Sequence, residues 1–228
     1  LLDGLNAIDG IRWIRLLYAY PERITPQFIA AMTRNEKVLH YLDVPIQHSE
    51  TRVLKAMNRK GTRETVTAAL DALRAAMPDI TLRTTLIAGY PGETEQEFAA
   101  LCAFVKEYRF DRLGCFAYSE EEGTVAADLP QLPEALRAER ADAIMRLQSG
   151  IMSEKQAAKV GQTLICVCDG YDEENGIYVL RTEADAPEID GECYVQSEKE
   201  LAVGAFYSVR IDDSDVYDVH GTVIKALS

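Results

Sequence analysis

The spacing of apolar residues changes several times along the chain, and the sharpest change lies between Tyr41 and Gly61. Leu42, Val44 and Ile46 alternate as in a strand that stops near Pro45, and Gln47, His48 and Ser49 follow as a polar tip. Val53, Leu54 and Met57 then repeat at helical spacing, with Arg52, Lys55, Arg59 and Lys60 around them. A strand, a polar turn and a basic helix make one βα unit. In α/β folds the turns at strand C-terminal ends are where ligands sit.

The same alternation predicts strands at Ile11 to Tyr18, Tyr41 to Ile46, Thr81 to Ala88 and Arg112 to Tyr118. Helices are expected from Pro26 to about Met32, Thr51 to Met57, Arg63 to Ala76, and Glu95 to about Tyr108. Thr25 and Thr62 read as N-caps, and Thr94 with Glu97 as a capping box. This order implies a parallel sheet covered by helices. Four strands are too few to close a barrel, so the expectation is a partial, open (βα) barrel with its missing strands upstream or supplied by a partner.

A long helix is expected from about Glu134 to Lys159. Beyond it come five short apolar runs: Thr163 to Cys168, Ile177 to Arg181, Glu192 to Val195, Ala205 to Ile211 and Asp218 to Ile224. Short strands separated by turn residues suggest a small closed β-barrel. The chain thus reads as an α/β domain over residues 1–159 and an all-β domain over 160–228.

Charge separates the two parts. Of the net −13, residues 160–228 carry fifteen acids and four bases, or −11, leaving −2 for the rest. An acidic surface favours solubility, repels phosphate backbones and attracts basic partners. The 47% hydrophobic and 27% charged content is that of a soluble globular protein. No run approaches the roughly 18 apolar residues of a membrane helix, and an odd count of five cysteines suggests no disulfide framework, so a reducing cytoplasm is the simplest location. The start, Leu-Leu-Asp-Gly-Leu-Asn, has neither Met nor a signal-peptide pattern and reads as the start of a fragment. The five cysteines (Cys102, Cys115, Cys166, Cys168 and Cys193) form no CxxC or CxxxCxxC. Cys166 and Cys168 share one strand face and read as core thiols.

Four predicted strand ends bring chemistry to one face: Tyr18-Ala19-Tyr20-Pro21, Gln47-His48-Ser49, Gly89 to Thr94, and Tyr118-Ser119-Glu120. Gly89 and Gly92 would permit close backbone approach by a ligand, or simply form a tight connection. Glu93 could accept from a ribose or an amine. Gln47 and Ser49 could bind a ligand, with helix capping the safer role for Ser49. Arg59 closes a helix, where a cation is favourable in any case. Arg83 and Thr85 share one strand face, and an inward Arg suits a carboxylate or phosphate. His48 lacks the neighbours of a metal ligand and reads as structural.

The run from Leu42 to Gly61, together with Leu86-Ile87-Ala88-Gly89-Tyr90-Pro91-Gly92-Glu93-Thr94 and the stretch Tyr118 to Asp128, resembles the radical S-adenosylmethionine methylthiotransferases. The resemblance covers nearly the whole chain. Pro45-Ile46-Gln47-His48-Ser49 and Asp185-Ala186-Pro187-Glu188-Ile189-Asp190-Gly191 are similar to the branch that modifies an aspartate of a small-subunit ribosomal protein. The five-stranded end resembles a TRAM domain. The resemblance implies a radical-SAM-type barrel, S-adenosylmethionine, and two [4Fe-4S] clusters in the full-length protein. It also implies hydrogen abstraction from an aspartate β-carbon followed by methylthiolation.

Carried over by position, Gln47 and Ser49 would face the ribose or methionine part of the cofactor. Gly89, Gly92 and Glu93 would flank its nucleoside, and Tyr118 and Ser119 its adenine. Arg59 and Arg83 are candidates for the methionine carboxylate or the substrate aspartate. The family's CxxxCxxC loop is absent from this sequence, so the chain alone is expected to be inert. A basic ribosomal protein docking on the acidic TRAM domain is the electrostatic match. A tRNA-modifying relative and a non-catalytic ribosome-docking module are the alternatives, and tRNA is disfavoured by the −11 tail.

Overall fold

The computed structural model describes residues 1–227, which form two compact units that divide between Gln148 and Ser149. The first holds four parallel strands in the order β1 (Ile14–Leu16), β2 (Val38–Asp43), β3 (Thr81–Ala88) and β4 (Arg112–Ala117). Helices α1 (Leu2–Asn6), α2 (Pro26–Arg34), α3 (Thr51–Ala56), α4 (Arg63–Ala76) and α5 (Glu95–Tyr108) lie between or before the strands. The last helix, α6 (Glu134–Ala157), contains the division between the units.

Local sequence explains most element boundaries. Helix α4 begins where the Thr62 hydroxyl accepts from the Thr65 amide, and it buries Val66, Ala69, Leu70 and Leu73. That is an i, i+3, i+4, i+7 stripe. A cap contributes about 1 kcal/mol, whereas each buried Val or Leu contributes about 1.5–3 kcal/mol. The apolar stripe therefore outweighs the cap in holding the helix. Helix α5 opens on the expected capping box of Thr94 and Glu97 and buries Leu101, Phe104, Val105 and Tyr108.

Two strands differ from the sequence expectation. The first is only three residues long, against the eight expected. The second is displaced toward its start, running Val38–Asp43 rather than Tyr41 to Ile46. Pro45 has no amide hydrogen to give to a ladder, so regular pairing stops before it. The chain stays attached to β3 by separate bonds: the Val44 amide to the Arg83 carbonyl and the Gln47 amide to the Thr85 carbonyl.

In β3, Leu82, Thr84, Leu86 and Ala88 are buried, while Arg83, Thr85 and Ile87 occupy the opposite, half-buried face. The alternation read from the sequence is therefore present, and it puts Arg83 and Thr85 side by side.

The second unit is a closed barrel with strand order β5-β6-β7-β9-β8. Its strands are β5 (Thr163–Asp172), β6 (Ile177–Thr182), β7 (Cys193–Val195), β8 (Phe206–Ser214) and β9 (Val219–Leu227). Three of the five cysteines, Cys166, Cys168 and Cys193, are fully buried beside Leu180, Val209 and Ile211, as core thiols. Strand β5 runs four residues beyond its predicted end because Asp172 organises the hairpin turn. Its Oδ1 accepts from the Glu174 and Asn175 amides. Gly221 is required by close packing, since a Cβ there would lie 2.5 Å from the Arg210 carbonyl oxygen.

Candidate functional site

A cleft of about 430 Å³ opens at the C-terminal ends of β1, β2 and β4 and along β3, lined by Tyr18, Ala19, Tyr20, Pro45, Gln47, Arg59, Arg83, Thr85 and Phe116. Of the residues expected to bind a cofactor, Gln47, Arg59 and Arg83 come together here. Two lining residues, Tyr18 (φ 62°) and Gln47 (φ 69°), have left-handed backbones although neither is glycine. Each such residue costs about 1–2 kcal/mol. Non-glycine strain of this kind concentrates at functional sites.

Gln47 is kept in this conformation by β3 on both sides of its peptide. Its amide donates to Thr85 at 2.9 Å and its carbonyl accepts from the Ile87 amide at 2.8 Å. Arg59 donates Nη2 to the Pro45 carbonyl at 2.6 Å, and its guanidinium lies 4.8 Å from the Tyr20 ring centre. One of five guanidinium donors is used in that bond, which fixes the fork at the cleft wall. Arg83 is bridged to the buried Asp43 carboxylate at 3.0 Å. That pairing orients Arg83 and offsets part of its charge. The walls also carry aromatic surface, with Tyr18, Tyr20 and Phe116 at 75%, 50% and 64% exposure.

The other expected site residues lie outside this lining. Ser49 is fully buried and donates to the Glu50 carboxylate at 3.2 Å, and α3 begins without a side-chain cap. Glu93 is buried too. Its Oε2 accepts the Gly89 amide at 3.0 Å and its Oε1 accepts Arg140 Nη1 at 2.7 Å. Gly89 is needed for packing, because a Cβ there would sit 2.6 Å from Arg137 Cγ and 2.9 Å from its Cα. The Gly92 carbonyl accepts from Arg52 at 2.6 Å. Tyr118 meets Tyr90 edge to face at 5.2 Å, its carbonyl accepts from Arg137, and Ser119 is exposed. The glycine turn and its carboxylate thus form a braced layer behind the cleft.

His48 belongs to that layer. It is fully buried, and its Nδ1 accepts from the Glu50 amide at 3.0 Å, which leaves the ring hydrogen on Nε2. Nε2 lies 3.3 Å from Glu93 Oε2, a close contact without hydrogen-bond alignment. The structural role expected for His48 agrees with this position. Arg140, the key cation of the layer, had no signal in the sequence: it lies 47 residues from Glu93 on a helix of mixed polarity. Tyr18 and Tyr20 lie on a strand end that the sequence offered, whereas Phe116, inside β4, carried no signal and joins them only through folding.

The residues present do not form an iron–sulfur ligand set. Among the described residues no group of three or more His, Cys, Asp or Glu is placed to hold a metal ion. Cys166, Cys168 and Cys193 fill the barrel core, while burial pushes the Cys115 thiol up to about 12, against the thiolate a metal needs. S-adenosylmethionine is a different case. The cleft offers guanidinium and amide donors for a carboxylate or ribose beside aromatic surface for a purine, in a volume suited to a small ligand.

Comparison with known proteins agrees with this division. Residues 5–105 match the radical SAM superfamily, and residues 160–224 match the TRAM domain. The chain carries radical SAM and TRAM domains. It is also homologous over its length to a named group within that class. It is 45% identical to "Ribosomal protein uS12 methylthiotransferase RimO" of Acetivibrio thermocellus, covering 100% of this chain and 51% of that protein. The protein of the same name from Desulfitobacterium hafniense is 47% identical, over 99% of this chain and 51% of the relative. That of Clostridioides difficile is 44% identical, over 100% and 51%. The chain spans about half the length of the curated relatives it matches.

Proposed function

We propose that this chain is part of a radical S-adenosylmethionine methylthiotransferase that modifies an aspartate β-carbon of ribosomal protein uS12. The observation that supports the reading most is the cleft, where Gln47, Arg59 and Arg83 meet in a chain homologous over its whole length to proteins of that name. In this reading Arg59 and Arg83 hold a carboxylate, and Gln47 a hydroxyl or amine, of S-adenosylmethionine. Tyr18, Tyr20 and Phe116 shield the ligand from water. When bound, S-adenosylmethionine supplies the radical chemistry and the methyl group; the chain's own residues orient it. Lacking a cluster ligand set, the chain alone is inert. After reconstitution with iron and sulfide, its absorbance near the iron–sulfur charge-transfer band should stay flat, and a stoichiometric cluster would refute this.

The β unit supplies the docking surface for the basic substrate. Tyr194 and His220 pair with ring centres 5.5 Å apart, beside Glu192, which accepts the Tyr194 hydroxyl at 2.7 Å, and Asp215, which contacts His220 at 2.9 Å. Glu192, burial and nearby acids push the Tyr194 phenol upward, a sign of negative potential. Carboxylates beside aromatic faces suit Lys and Arg side chains. Titrating the chain with isolated uS12 and with tRNA at two salt concentrations decides between partners. Salt-sensitive uS12 binding is expected, and strong salt-sensitive tRNA binding sinks the choice.

A further inference from the structure

We propose that His48 is a positioning residue for the cleft: clamped from both sides, its ring holds the left-handed turn that aims Gln47 at the ligand. The inference rests on the proposed role of Gln47. It adds a residue that does not line the cleft.

Gln47 occupies a conformation that its own side chain disfavours. The two backbone bonds to β3 fix its peptide, but the next residue must also be held for φ and ψ to persist. His48 does this from a fully buried position. Its Nδ1 takes the Glu50 amide, closing the turn one residue before α3. Its Nε2 side faces Glu93, 3.3 Å away. Glu93 is itself pinned by the Gly89 amide and by Arg140, which also reaches the Glu93 carbonyl at 3.1 Å and Glu95 at 2.9 Å. The turn after β2 is thereby coupled to the turn after β3 and to α6. The ring accepts the Glu50 amide on one nitrogen and packs its other edge against the pinned Glu93 carboxylate. An apolar residue of similar size would leave the Glu50 amide without that partner.

The test uses the 228-residue chain and S-adenosylhomocysteine as a stable probe. First, long-range ¹H–¹⁵N correlation on the unsubstituted chain should show the His48 ring hydrogen on Nε2 and none on Nδ1. A hydrogen on Nδ1 would overturn the clamp without any substitution. Second, His48→Leu should move the Gln47 and Ile87 amide resonances in the ligand-free chain. It should also weaken probe binding about tenfold, as Gln47→Ala should. His48→Gln, whose side-chain carbonyl can accept the Glu50 amide, should recover most of the affinity. Unmoved Gln47 and Ile87 resonances, or full affinity in His48→Leu, would refute positioning. If the unsubstituted chain fails to bind the probe, the reading of the cleft fails instead, and the tautomer and amide shifts still decide the clamp.

Discussion

Arg140 donates to Glu93 across 2.7 Å, with 5% and 0% of the two side chains exposed. An ion pair this buried gains little net free energy, because desolvation consumes most of the attraction. Breaking it is different, since the surviving charge has no water to turn to. Arg140→Met should therefore destabilise the α/β unit by about 3–5 kcal/mol. Adding Glu93→Gln should recover much of that loss. Urea midpoints of the two variants measure both effects.

Gly89→Ala should fail for two additive reasons. The position has φ 76°, and the new methyl would meet both the side chain and the Cα of Arg137. Strain of about 1–3 kcal/mol joins overpacking of about 1–3 kcal/mol. Arg137→Ala in the same chain should restore only the part due to its side chain, because the backbone contact and φ remain. Thermal unfolding of the single and double variants separates the contributions.

Gln47→Gly should divide stability from binding. Glycine removes a left-handed penalty of about 1–2 kcal/mol and gives back about 0.5–1 kcal/mol through a freer unfolded chain. The expected outcome is an unchanged or slightly raised melting temperature together with weaker binding of an S-adenosylmethionine analogue. A clear fall in melting temperature would show that the side chain stabilises the fold rather than contacting ligand.

Acid should weaken the start of α5. The Arg52 guanidinium beside Glu97, helped by the Thr94 amide and hydroxyl, holds its carboxyl down from 4.5 to about 2. A depressed carboxylate stabilises the fold fully above its unfolded value and loses that contribution as pH falls from about 4.5 to about 2. Because Arg52 is 55% exposed, solvent screening discounts the gain to about 0.2–1 kcal/mol. Glu97→Gln should therefore be less stable than the parent at pH 7, and the difference should vanish near pH 2 in urea titrations.

Several features of the fold were legible because they depend on near neighbours. Thr62 and Thr94 mark helix starts through bonds made within one turn. The alternation in Thr81–Ala88 assigned Arg83 and Thr85 to one face, and both line the cleft. The five apolar runs after Gly161 became the five strands of the barrel. The missed boundaries have local causes of another kind. Pro45 ends the β2 ladder, and the Asp172 turn extends β5.

The site was legible only in part. Gln47 and Arg83 stood out because polar or cationic residues at a strand end or inward face lack a packing reason, while Arg59 stood out as a cation at a helix end, where the helix dipole explains it equally well. Ser49, Gly89 and Glu93 stood out equally, yet they brace the cleft from behind. Sequence cannot tell a ligand-facing carboxylate from one neutralised by an arginine 47 positions away.

By itself the sequence determined the element order, the capped helices, the acidic β-barrel and the residue types gathered at the strand ends, since these follow from periodicity, charge and bonds between near neighbours. Only the tertiary structure decided which polar groups face the cleft and which are sealed behind it. It also decided that Tyr18 and Gln47 carry left-handed backbones and that His48 and Arg140 meet at Glu93. The reason is physical: burial and close approach between distant segments arise only when strands pair, and they set whether a given carboxylate or imidazole is a ligand group or part of the frame.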